Sequence, residues 1–240
     1  MSIPYRDRII VALDTHDIVL CQRLLASLKD EIKLFKVGKE LFTACGNEAI
    51  AAIHDVGARC FLDLKYHDIP NTVAKASSVA CRRGIFMFNV HACGGKKMMK
   101  AARDAVLGEA KMRGIEPPII LGVTVLTSLS EEEMQKEIGI SRSLNEQVVH
   151  LARMTKEAGL DGVVASAKEI TLIKESLGDD FLVVTPGIRP TWSSKQDQTR
   201  VVTPKDAFDM GADYLVIGRP ITASADPKAA AQRIIEELEQ

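Results

Sequence analysis

The feature that most constrains this chain is a recurrence. Eight short apolar runs, at residues 9–13, 32–37, 60–64, 85–90, 119–126, 162–165, 181–185 and 214–217, alternate with longer amphipathic segments. They are rich in Val, Ile, Leu and Phe. At four to eight residues each, periodicity alone does not separate buried strand from buried helix. The segments between them decide the matter, because they carry helix signals. Ser130 with Glu133, Ser143 with Glu146 and Ser166 with Glu169 each fit a capping box, in which hydroxyl and carboxylate satisfy free amides at a helix start. Thr203-Pro204 and Asp226-Pro227 place a capping side chain before a proline at the first helical position. Gly159, Gly178 and Gly211 fall where helices should stop.

Eight strand-then-helix units in 240 residues predict a closed parallel (β/α)8 TIM barrel, a single α/β domain over residues 1–240. A doubly wound open sheet is the competing arrangement. It would place a glycine-rich turn after the first strand, but that position reads Asp14-Thr15-His16-Asp17. Gly94-Gly95-Lys96-Lys97 lacks the upstream glycine and the hydroxyl of a phosphate-binding loop.

Lys plus Arg number 31 against 32 Asp plus Glu, so no basic excess points to nucleic acid or to an anionic membrane. No apolar run approaches the ~20 residues of a membrane-spanning helix, and the N-terminus shows no secretory core. The five cysteines are odd in number and form no C-x-x-C pair. That pattern fits free thiols in a reducing cytoplasm better than disulfides or structural zinc.

In an α/β barrel the chemistry sits at the C-terminal ends of the strands. The first run ends in Asp14, the second carries Lys36, and the third continues as Asp63-Leu64-Lys65-Tyr66-His67-Asp68. Asp63 and Lys65, two apart on a strand, are expected to face the same side. If Leu62 and Leu64 face the helices, both charges point inward. One buried ion costs several kcal/mol unless paired, and an alternating set of Lys36, Asp63, Lys65 and Asp68 would supply the pairing. A lysine ammonium held among carboxylates is a ready proton donor. The ordinary alternative for any one of these charges is a solvated surface position.

Arg189 follows the seventh run and Arg219 the eighth, where barrels commonly form phosphate sites. Arginine suits bidentate phosphate recognition, and Gly218 would let a backbone amide approach an oxyanion. Between the two arginines, residues 191–203 form a polar segment of lid length.

Asp63-x-Lys65-x-x-Asp68-Ile69-Pro70-x-Thr72 resembles the signature of the orotidine 5′-monophosphate decarboxylases, in the bacterial branch of that family. Val11-Ala12-Leu13-Asp14, Phe35-Lys36-Val37-Gly38, Thr124-Val125-Leu126-Thr127-Ser128, Thr185-Pro186-Gly187-Ile188-Arg189-Pro190 and Val216-Ile217-Gly218-Arg219-Pro220-Ile221 resemble its other strand-end motifs. The D-x-K-x-x-D element is shared with a wider barrel superfamily; the I-P-N-T continuation and the P-G-I-R-P loop are more specific. The resemblance implies decarboxylation of orotidine monophosphate to uridine monophosphate and CO₂ without metal or cofactor. It implies Lys65, Asp63, Lys36 and Asp68 as catalytic residues, with Asp14 and Lys36 on the ribose hydroxyls. Thr127 and Ser128 are implied around the pyrimidine, and Pro186, Arg189, Gln198, Gly218 and Arg219 in the remaining substrate contacts, Gln198 reaching the phosphate. It also implies a homodimer in which Asp68, Ile69 and Thr72 complete the neighbour's site.

His16, His54, His67 and His150 lack metal-ligand spacing, and His91 is either a site residue or a satisfied structural histidine. Cys93 is expected to be a buried thiol, and Glu131-Glu132-Glu133 a helix first turn. Two alternatives stand beside the decarboxylase. One is a magnesium-dependent sugar-phosphate relative, such as a keto-gulonate phosphate decarboxylase or hexulose phosphate synthase. The other is a non-catalytic nucleotide-phosphate binder.

Overall fold

The computed structural model describes residues 3–193 and 202–240. Its parallel strands close into a barrel in chain order: β1 (Ile9–Ala12), β2 (Leu34–Gly38), β3 (Arg59–Tyr66), β4 (Met87–His91), β5 (Ile119–Val123), β6 (Gly162–Val164), β7 (Leu182–Pro186) and β8 (Tyr214–Ile217). Closure is direct, since Ile9 of β1 pairs with Leu215 of β8 and Ile10 with Leu34 of β2. The helices between them are α1 (Ile18–Leu28), α2 (Lys39–Cys45), α3 (Asn47–Asp55), α4 (Pro70–Arg82), α5 (Gly95–Arg113), α6 (Glu131–Lys136), α7 (Leu144–Glu157), α8 (Ile170–Leu177), α9 (Pro204–Asp209), α10 (Arg219–Thr222) and α11 (Pro227–Glu239). The expected (β/α)8 barrel is the observed one.

All eight apolar runs become strands. The fifth stops at Val123 rather than running to residue 126: Thr124 spends both its amide and its hydroxyl on Val164 O, at 3.2 and 3.1 Å, and the chain then turns outward. Leu126 is left 46% exposed. The third run extends two residues further than its apolar part, and that extension carries Lys65.

The helix starts follow their caps. Ser130, Ser143 and Thr203 close complete capping boxes on α6, α7 and α9, the last with Asp206 as partner. The Ser166 box opens a 3-10 turn, Ala167–Glu169, that leads into α8. Asp226 accepts from the Ala229 amide at the start of α11. Each such cap is worth about 1 kcal/mol. Gly159, Gly178 and Gly211 follow helices with φ of 80°, 89° and 103°, the left-handed region that a Cβ disfavours.

The chain resolves into two compact units, Met1–Leu64 with Thr185–Gln240, and Lys65–Val184. In the first, β1, β2 and β8 are buried along their whole length, with Leu24, Leu25 and Leu28 of α1 and Ile234 of α11 inside. Arg8, immediately before β1, ties this core to β8 and its approach. Its guanidinium donates to Asp213 O at 2.8 Å and Ala212 O at 2.6 Å, and lies 4.3 Å from the Phe208 ring centroid. In the second unit α4 packs along α5, with Ser78 Oγ reaching Ala105 O at 3.5 Å. A Cβ on Gly162 of β6 would overlap the backbone of Leu182 in β7, so only glycine fits there. Fully burying each Leu, Ile, Val or Phe contributes about 1.5–3 kcal/mol before entropy is counted. Among the described residues no helix is long and apolar enough to cross a membrane.

Candidate active site

In the first unit the strand ends assemble a charged cluster. Lys36 lies in β2, opposite Ala12 of β1 and Phe61 of β3, and only 8% of it is exposed. Its ammonium donates to Asp14 Oδ1 at 2.9 Å and stands 3.5 Å from Asp63 Oδ2. Asp14 follows β1 and Asp63 lies in β3, so one buried cation receives a carboxylate from each side. That pairing is what makes its burial tolerable. The two carboxylates are not equivalent: the Asp14 side chain is 58% exposed and that of Asp63 14%.

Gly38 ends β2 beside this cluster. A Cβ there would lie 2.8 Å from Lys36 Nζ and 3.2 Å from Asp14 Oδ1. Its φ is −90°, an ordinary value, so the glycine is required for space rather than for conformation. In the sequence Gly38 stands out only as part of the Phe35-Lys36-Val37-Gly38 motif. The available signal was a glycine ending an apolar strand two residues after a lysine, where close approach of another group is the usual cause.

The same unit holds the arginine loops. Pro186 ends β7 and Gly187 follows at φ 79°. Arg189 is buried, and its amide donates to Val202 O at 3.2 Å. Gly218 precedes α10; the space beside it holds Ala12 Cβ at 3.6 Å and Asp14 Oδ2 at 3.9 Å from where its Cβ would be. Arg219 opens α10 and is exposed. Trp192 has its ring under the Arg233 guanidinium, 4.6 Å away. Most of the expected lid, and Gln198 with it, lies outside the described residues.

In the second unit the notable residue is Lys65. Its φ is 54°, the only positive value at a non-glycine among the described residues. For an L-residue with a long side chain that conformation costs about 1–2 kcal/mol. The Lys65 amide donates to Asn89 Oδ1 at 2.8 Å, and Asn89 is wholly buried in β4. Regular pleating is interrupted at Lys65, although β3 runs on to Tyr66. The sequence marks Asn89 as a polar residue near the end of the fourth apolar run, but shows neither the left-handed backbone of Lys65 nor the bond between the two.

Beyond Lys65, Tyr66 packs against Phe88 with ring centroids 6.0 Å apart, and burial pushes its phenol above the usual range. His67 and His91 lie ring to ring at 5.5 Å. Asp68 Oδ1 accepts from the Ile69 amide at 2.6 Å, and Asp68, Ile69 and Thr72 stand exposed at the start of α4, Ile69 being 66% exposed. Thr127 and Ser128 occupy an exposed turn after β5. Cys93 is exposed rather than buried, because it falls on the 3-10 turn that follows β4 instead of in the strand. Cys60 is fully enclosed in β3, and desolvation pushes its thiol up to about 12. Among the described residues no three His, Cys, Asp or Glu side chains come together as metal ligands.

The structure thus groups Asp14, Lys36, Asp63 and Gly218 in one unit. In the other, Asp68, Ile69 and Thr72 stand together, with Thr127 and Ser128 on a separate loop.

The family model for "Orotidine 5′-phosphate decarboxylase / HUMPS family" matches residues 7–234. The chain is 50% identical over 238 residues to an orotidine 5′-phosphate decarboxylase of Syntrophotalea carbinolica, covering 99% of this chain and 97% of that one. It is 51% identical over 234 residues to the enzyme of the same name from Moorella thermoacetica, covering 98% and 93%. A crystal structure of orotidine 5′-phosphate decarboxylase from Lactobacillus acidophilus superposes with a TM-score of 0.86 at 39% identity, covering 98% of this chain and all of that one. The barrel, the strand-end charges and these full-length relationships agree: the chain belongs to the orotidine 5′-phosphate decarboxylase / HUMPS family.

Proposed function

We propose that this chain decarboxylates orotidine 5′-monophosphate to uridine 5′-monophosphate, acting over its whole length as one catalytic barrel. The observation that carries the proposal is the near-complete, 50% identical match to a decarboxylase of that name, together with an intact Asp63-x-Lys65-x-x-Asp68-Ile69-Pro70-Asn71-Thr72 run at the end of β3. In the reaction the bond between C6 and the carboxylate carbon breaks, CO₂ departs, and the electron pair remains on C6. The pyrimidine π system does not readily delocalise an sp² pair, so stabilisation falls to fixed charges. The Lys65 ammonium stabilises that pair and delivers its proton to C6; solvent then reprotonates the amine. Asp63 stands by the departing carboxylate, and Lys36 and Asp68 hold the array. Written this way, the chemistry calls on no metal or cofactor.

Asp14 and Lys36 take the ribose hydroxyls, Thr127 and Ser128 the pyrimidine, and Pro186, Arg189, Gln198, Gly218 and Arg219 the phosphate end. Ile69 and Thr72, with Asp68, reach the neighbouring site in a homodimer. All three are exposed at the head of α4, as a contact with a neighbouring subunit requires. Phosphate binding remote from the reacting carbon serves catalysis when its energy is realised in the transition state.

The test is to mix the purified protein with orotidine monophosphate, with and without a chelator, and follow loss of the orotate ultraviolet absorbance. Rapid chelator-resistant loss is expected. Loss abolished by chelator would move the chain to a metal-dependent relative. A folded protein that binds uridine monophosphate without turnover would be a binder instead.

A further inference from the structure

We infer that Asn89 is a positioning residue for the reaction: its side-chain oxygen holds the Lys65 amide and so fixes the left-handed turn from which the Lys65 side chain leaves β3. The inference rests on the reading of Lys65 as proton donor given above.

Three observations meet at this point. Lys65 has φ 54° although it is not glycine. Its amide hydrogen bond goes to a side chain, Asn89 Oδ1, at 2.8 Å. And Asn89 is 0% exposed, lying in β4 between Phe88 and Val90, which are equally buried. A buried carboxamide in an apolar strand is unfavourable unless its polar atoms are satisfied. The fold alone would accept an apolar side chain in this position, opposite Leu121 of β5. The acceptor therefore has a local task, and the strained residue it binds defines that task. A strained backbone persists where its surroundings over-determine it. Without the acceptor, Lys65 is free to fall back to the extended region, and a change in the sign of φ redirects the whole side chain. The ammonium lies at the end of a long flexible stem, so a small change at the backbone becomes a large one at the proton.

Two near-isosteric substitutions separate the acceptor from the packing. Asn89→Leu keeps the forked shape and removes the oxygen; Asn89→Asp keeps an oxygen in the same place and removes the amide donor. Turnover of orotidine monophosphate and equilibrium binding of uridine monophosphate are measured for both, beside the parent. Asn89→Leu is expected to lower kcat by about 10–100-fold, the scale of a small misplacement of a catalytic group, while binding changes by less than about threefold. Asn89→Asp is expected to retain most of the parental kcat. If Asn89→Leu is recovered unfolded, Asn89→Ala makes the same comparison, since it leaves a cavity rather than a clash. Parental kcat in the Leu variant, or equal losses in Leu and Asp, overturns the inference. An inactive parent instead marks failure of the decarboxylase reading, and undiminished turnover in Lys65→Ala marks failure of the role given to Lys65.

Discussion

Lys36 and Lys65 belong to consecutive strands of one barrel, yet they are held by different means. Lys36 sits in regular β2, paired on both sides through its neighbours' backbones, and its ammonium is fixed by the carboxylates of Asp14 and Asp63. The space it occupies is left open by Gly38. Lys65 stands where β3 ceases to be extended, and its main chain is held by the side chain of Asn89. Carboxylates are seen to fix the side chain of the one, and a buried amide oxygen the main chain of the other. On the proposed reading of Lys65 as proton donor, fixing its main chain aims the group that protonates the carbon.

That contrast can be broken or sharpened by experiment. The largest effect is expected from Lys65→Ala, which should lower turnover by at least about 10³-fold while leaving binding of uridine monophosphate largely intact. Turnover near the parental rate would remove the distinction between the two lysines. Next comes Gly38→Ala. The incoming methyl meets the flexible end of Lys36, so the fold should survive while the ammonium shifts. A fall in kcat/KM of about 10–100-fold with an unchanged far-ultraviolet spectrum is expected; an unaffected kcat/KM would show that the position of the Lys36 ammonium is not critical. Third, Asp63→Asn should destabilise the protein by about 1–3 kcal/mol, because it removes the enclosed partner of a buried cation. Asp14→Asn, at an exposed position, should cost less than about 1 kcal/mol, with an effect that shrinks further in salt. Denaturant titrations of the two variants read this difference directly. The smallest effect concerns the backbone alone. Lys65→Gly should be more stable than Lys65→Ala by about 1 kcal/mol, or roughly 2–4 °C in Tm, because glycine accepts positive φ freely. The reverse order would show that residue 65 is not strained.

Much of the fold was legible because the barrel repeats one rule eight times. Short apolar runs between capped amphipathic segments leave few topologies, and Ser143 with Glu146 or Asp226 with Pro227 can be read as helix starts from local chemistry alone. The charged strand ends were legible for the same reason: Lys36 and Asp63 interrupt apolar runs and Asp14 closes one, and such breaks are visible in a sequence. What escaped was geometry that no residue type announces. The shortening of β5 depends on Thr124 choosing the carbonyl of Val164. The space at Gly38 depends on where a lysine from two residues earlier ends. The positive φ of Lys65 comes with a hydrogen bond from its amide to Asn89, twenty-four residues away in β4. Cys93 was misplaced for a simpler reason, because the strand stops at His91 and the 3-10 turn after it carries the thiol outward.

The left-handed lysine has a consequence for how such chains change over generations. On the proposed role of Lys65, stability and turnover pull residue 65 in opposite directions. Glycine and asparagine are both more comfortable at that backbone angle, so mutations that only had to preserve the fold would tend to drift toward them. On that reading, the proton it delivers is what offsets the strain of keeping lysine there. A chain with this barrel, Asn89 in place and Gly or Asn at position 65 would be a well-folded protein that had given up the reaction. The identity of one strained residue then separates an enzyme from its retired relative more sharply than overall similarity does.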